Sequence, residues 1–159
     1  MLGDWKRLSF RANDVFIDRS RQFCEKYAAQ KFNDEYICYP MEVYYKEENG
    51  KNYKVLLLGK HFKNYEFKCF SSVTVVPEGK RPQPELKEDT FKATDGTDCT
   101  LDAEKQVKLK AALSQKDFTL VKFFENALDG GNVYLLKVDE RYFGVFEAGN
   151  EFNVDCQFH

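Results

Sequence analysis

Three runs between Tyr36 and Val76 carry the strongest patterning in the chain: YICYPMEVYYKEE, NYKVLLLGKHF and YEFKCFSSVTVV. Each is rich in the aromatic and β-branched residues that suit a pleated, half-buried surface. In the first run apolar positions recur with period two. That spacing predicts a strand with Ile37, Tyr39, Met41, Val43 and Tyr45 on one face and Glu42, Tyr44 and Lys46 on the other. Glu48, Asn49, Gly50 and Lys51 form a turn between the first two runs, because Asn-Gly tolerates the positive φ of tight hairpins. A looser turn over residues 60–64 leads into the third run, giving a three-stranded antiparallel meander.

Upstream the period changes to that of a helix. Over residues 14–31, Phe16, Ser20, Phe23, Cys24, Tyr27 and Ala28 fall on one stripe, with Asn13 as N-cap and Asn33 as stop. Leu2, Trp5, Leu8 and Phe10 suit an edge strand or a cover over the core. Downstream, PEGKRPQPE (residues 77–85) is a proline-broken loop, and residues 86–93 read as a fourth, edge strand. After the turn-rich boundary at Asp95-Gly96-Thr97-Asp98, Thr100 or Asp102 caps a second helix. It runs to Gln115, with Leu101, Val107, Leu109, Ala112 and Leu113 as its apolar positions. Strands over 118–124, 133–138, 142–147 and 152–158 complete the chain. A helix followed by antiparallel strands thus occurs twice, over residues 1–96 and 97–159, the second unit being the shorter. The fold class is α+β: a helix packed on a curved antiparallel sheet, as two tandem α-β-β-β units or one continuous domain.

Composition narrows the function. The chain has 159 residues, 43% of them hydrophobic, with 15 Phe and 9 Tyr, which is ample for a packed core. A net charge of −2 argues against a nucleic-acid partner. The longest apolar run, Val55-Leu56-Leu57-Leu58, is far too short for a membrane span. Residues 1–10 lack the apolar core of a signal peptide, which leaves a mature secreted chain or a cytoplasmic one open.

The segment from about Ala12 to Gly96 resembles the cystatin superfamily, in which a sheet grips a long helix. The residues behind this are Lys54-Val55-Leu56-Leu57, the Cys69-bearing strand from Phe67 to Val76 that ends at Val76-Pro77, the proline-rich loop, and residues 85–94. Within the superfamily the chain looks most like the latexin-type members, whose tandem units inhibit metallocarboxypeptidases. The resemblance implies a protease inhibitor that acts through loops on a protein partner, without catalysis, cofactor or metal. Papain-type inhibition in the family uses an N-terminal Gly, a QxVxG hairpin and a Pro-Trp hairpin. The matching places here are Gly3, Glu47-Glu48-Asn49-Gly50-Lys51 and Pro77-Glu78-Gly79. The first hairpin is charged and the wedge Trp is missing, so the resemblance supports the fold more than cysteine-protease inhibition. Glu48, Asn49, Gly50, Lys51, Pro77, Glu78, Gly79 and Arg81 are the candidate contact residues.

Other constellations read as structure. Cys24, Cys38 or Cys69 with His61 offers a nucleophile and a base, yet cysteines on apolar stripes are usually inert. Among the five cysteines, Cys69 and Cys99 could pair across the proline-rich loop, a connectivity that spacing alone does not decide. No CxxC pair is present, which disfavours zinc, and Asp95, Asp98 and Asp102 lack the ligand order of a calcium loop. Glu47, Glu48, Glu85, Glu88 and Asp89 lie among lysines and suit a solvated face. Tyr36, Tyr39, Tyr44, Tyr45, Tyr53 and Tyr65 suit either a recognition face or a sheet cover. Outside the inhibitor class, a carrier whose aromatic sheet encloses a small apolar ligand is the alternative, followed by a structural interaction module.

Overall fold

A computed structural model of the chain describes residues 3–9 and 15–159. Asn13, proposed as a helix cap, and Leu2 and Phe10 lie outside the described residues. The elements run β1 (Lys6–Arg7), α1 (Val15–Phe32), β2 (Tyr36–Glu47), β3 (Lys51–His61), β4 (Phe67–Val76), β5 (Glu85–Asp95), α2 (Ala103–Ala112), β6 (Thr119–Leu128), β7 (Gly131–Val138), β8 (Arg141–Ala148) and β9 (Glu151–Phe158). The fold is α+β. Strands β1 to β5 form one antiparallel sheet in chain order, and β6 to β9 form a second. Each helix thus precedes a four-stranded meander, and β1 adds a two-residue edge to the first.

Three apolar clusters stack these parts into four layers. In the first, Ile17, Cys24 and Ala28 of α1 pack with Val43, Val55, Leu57 and Phe70 on one face of the first sheet. In the second, the opposite face (Met41, Tyr44, Leu56, Leu58, Phe67, Cys69) meets Phe124, Leu128, Val133, Leu135, Tyr142, Phe146 and Phe158 of the second sheet. In the third, Leu109 and Leu113 of α2 close the outer face of the second sheet with Tyr134, Leu136 and Val145. The first sheet is therefore buried on both sides, which is why Val55-Leu56-Leu57-Leu58 is apolar without interruption. A run of rings crosses the seam between the sheets: Tyr39 stacks on Phe158 at 4.4 Å, Phe158 on Tyr142 at 5.3 Å, and Tyr142 on Tyr65 at 5.9 Å.

Helix α1 ends where Asn33 takes φ 54°, a left-handed stop that asparagine tolerates. Its fully buried stripe is Ile17, Ser20, Cys24 and Ala28; Phe23, expected on it, is only half-buried. Glu25, outside that stripe, accepts a hydrogen bond from the Cys38 amide at 2.8 Å and ties the helix to β2. Asp102 caps α2 by accepting from the Lys105 amide at 2.7 Å, while Val107 is exposed rather than buried.

The simple alternation expected for β2 breaks. Pro40 pairs with Leu57 and Glu42 with Leu56, so Met41 is an extra residue. This bulge switches the pleat. Tyr39 and Met41 face the second sheet ahead of it, Tyr44 does so beyond it, and Val43 and Tyr45 turn to α1. Glu42, expected with Tyr44 and Lys46 on the face opposite the apolar set, is 1% exposed. The tyrosines read as a possible recognition face mostly join the cores; of the six, only Tyr65 is largely exposed.

Candidate functional site

Antiparallel pairing brings the sequence-selected loops together. Glu47 pairs with Lys51, closing a loop of Glu48, Asn49 and Gly50, and Lys51 pairs on its other side with Val76, the last residue of β4. The turn of 48–50 and the loop of 77–84 therefore leave the same end of the first sheet. They touch there: a Cβ on Gly50 would lie 2.6 Å from the Val76 carbonyl oxygen and 3.1 Å from the Pro77 Cα. The N-terminal segment reaches the same end. Lys6 pairs with Tyr45, Asp4 lies 3.9 Å from the Lys46 ammonium, and the Trp5 ring is covered by Lys46 at 4.9 Å and Lys54 at 4.8 Å.

Backbone conformation and hydrogen bonding shape the first loop. Asn49 (φ 55°) and Gly50 (φ 117°) are both left-handed. Asn52 donates from Nδ2 to the Glu48 carbonyl at 2.9 Å, and Lys46 pairs with Glu48 at 2.8 Å. Glu48, Asn49 and Lys51 are exposed and Gly50 is buried beneath the second loop. In that loop Glu78, Gly79 and Arg81 are exposed and Pro77 is half-buried. Prolines at 77, 82 and 84 hold φ near −65° and limit the conformations lost on binding. The edge carries both charge signs, Asp4, Glu47, Glu48 and Glu78 beside Lys46, Lys51, Lys80 and Arg81.

The cysteine pairing suggested by the sequence does not occur. Cys69 is buried between the sheets and Cys99 is exposed ahead of α2, and both are free thiols. Register explains this: alternation along β4 aims Cys69 into the seam, away from the surface on which Cys99 lies. The nucleophile-and-base constellation is not assembled either. Both ring nitrogens of His61 are engaged, Nε2 with Asp34 at 2.9 Å and Nδ1 with the Lys63 amide at 3.1 Å. Burial pushes the Cys24 thiol up to about 11, against a contact to Ser72, and holds Cys38 and Cys69 well above the ordinary thiol range. Among the described residues no cluster of His, Cys, Asp and Glu is arranged to hold a metal, and no helix is long and apolar enough to cross a membrane.

A groove of about 620 Å³ runs where the sheets part, lined by Lys54, Ser71, Thr90, Lys92, Asn126 and Asp129 among others. Its lysines are already engaged: Lys54 with Asp129 at 2.8 Å and Lys92 with the Asn126 carbonyl at 2.6 Å. Sequence reasoning missed the polar cluster at the seam of the sheets, Arg7, Glu42, Tyr44 and Asp155. Its only signal in the sequence was a glutamate beside Met41 in an otherwise apolar run.

No known family, curated protein or solved structure matches this chain.

Proposed function

We propose that this chain is a non-enzymatic binding protein of cystatin-like build, a protease inhibitor that engages its partner through the end of the first sheet. The observation that carries the reading is the convergence of three segments there: Gly3 to Trp5, the 48–50 turn and the 77–84 loop. In the cystatin resemblance the equivalent three segments insert into a protease cleft. A sheet buried on both faces holds such loops rigidly, and rigidity lowers the entropy lost on association. The large apolar side chains an enclosing carrier would need are instead packed into three cores, and the groove where the sheets part mixes charged, polar and apolar residues, which favours a loop-mediated reading.

The charged first turn and the lack of a tip Trp argue against papain-type cysteine proteases. The latexin-like pattern points to metallocarboxypeptidases. Inhibition constants against papain and against a pancreatic metallocarboxypeptidase test this directly. The reading expects inhibition of the carboxypeptidase, weakened about tenfold by Arg81→Ala, and little effect on papain. Nanomolar inhibition of papain would overturn the target class. Inhibition of neither enzyme would count against the inhibitor reading itself.

A further inference from the structure

We propose that Glu42 and Asp155 share one proton and form, with Arg7, a proton-held clasp between the two sheets, so that alkaline pH loosens the seam where β2 meets β9. Both carboxylates sit at strand irregularities that re-aim side chains. Glu42 follows the Met41 bulge. On β9, Val154 pairs with Val145 and Cys156 with Gly144, so Asp155 is itself the extra residue. Their side chains are 1% and 7% exposed.

Among the described residues the cluster contains one cation for two acids. Arg7 grips Glu42 with both Nε and Nη2, at 3.0 and 2.8 Å, and the Tyr44 hydroxyl donates to the same carboxylate at 2.7 Å. Arg7 reaches Asp155 only at 3.5 Å, a weak contact. The second oxygen of Asp155, Oδ2, is buried without a donor among the described residues. Both carboxylates contact the same nitrogen of Arg7, Nη2, which sets them side by side, and two buried carboxylates so placed do not both ionise. One proton on Asp155, donated to Glu42, removes the second negative charge and links the sheets.

The other groups facing the pair do not supply that proton. On β1 the neighbour is Arg7. On β2 it is Tyr44, whose phenol is raised by burial and by Glu42. On β9 it is Cys156, whose thiol burial pushes up to about 12, while the facing β8 residues Gly144 and Val145 carry no charge. Burial first, then the hydrogen bond and charge of Glu42, push the Asp155 carboxyl up to about 9, with Arg7 opposing. The unfolded chain ionises Asp155 near pH 4. The clasp therefore contributes fully below that pH, and its contribution is lost progressively as pH rises from about 4 to about 9.

Carboxyl ¹³C NMR of the intact chain reads the proton directly. Titration of Asp155 above pH 7 is expected; titration at or below pH 7 overturns the proposal. Urea unfolding between pH 5 and 8 supplies the second readout. The wild-type unfolding constant should rise relative to that of Asp155→Asn, which needs no proton to donate to Glu42, by about tenfold per pH unit. Parallel pH profiles for the two proteins would also overturn it. If Asp155→Asn does not fold, the wild-type titration alone decides.

Discussion

Gly50 packs directly beneath the Val76–Pro77 peptide, so the turn after β2 and the loop after β4 share one backbone contact. A side chain at position 50 meets two obstacles: a φ of 117° and a carbonyl oxygen 2.6 Å from the Cβ position. Strain of this kind costs about 1–3 kcal/mol. Gly50→Ala is expected to lower stability by that amount in chemical denaturation and to shift the amide NMR signals of residues 76–79 as well as those of the turn. An effect confined to 48–51 would mean that the loops are not coupled. Gly79, which has open space around its Cβ position, is the control, although its φ of 147° adds strain of its own.

Glu42 lies under Arg7 and Tyr44 rather than in solvent. Its removal leaves the buried Tyr44 hydroxyl without its acceptor and Arg7 with only the 3.5 Å contact to Asp155. An unsatisfied buried group costs about 1–3 kcal/mol. Glu42→Ala should therefore destabilise the protein by about that much in urea. A change within 0.5 kcal/mol, about the scatter of ordinary surface substitutions, would remove the cluster from the folding account.

The cysteines offer a chemical map of the layers. Ellman's reagent should find one rapidly reacting thiol in the native protein and five after denaturation. Cys99→Ser should abolish the fast phase. A native disulfide, or fast reaction persisting in Cys99→Ser, would contradict the burial of Cys24, Cys38 and Cys69 and the partial burial of Cys156.

Ala28 is the smallest of the fully buried side chains of helix α1. Ala28 is 0% exposed, so Ala28→Leu overfills a closed space and should cost about 1–3 kcal/mol. Phe23→Asp, at a half-buried position, should cost less than Ala28→Asp. The reverse order in thermal melts would mean that the helix packs through another stripe.

Most elements were legible because their chemistry is local. Asn33 stops α1, Asp102 caps α2, Asn49-Gly50 turns the chain, and proline breaks residues 77–84. Each acts through its own backbone. The candidate loops could also be placed together once an antiparallel meander was assumed, since alternate turns leave the same end of a sheet. What could not be read was long-range. A bulge at Met41 reverses the face of every later residue in β2, yet it leaves no mark in a period-two pattern. The burial of Glu42 needs Arg7, a residue 35 positions away in the chain. The tyrosines suited a recognition face as well as a sheet cover because nothing local tells a residue that a second sheet will cover it.

The central claim is that one end of the first sheet meets the partner. Hydrogen exchange on the chain bound to a protease captured from a mixed extract tests it most directly. The account predicts added protection at residues 3–5, 48–51 and 77–84 together, with α1 and α2 unchanged. It also predicts loss of capture when residues 78–83 are replaced by a Gly-Ser linker, with no change in melting temperature. Protection confined to the helices or to the second sheet, or full capture by the replaced chain, would contradict it.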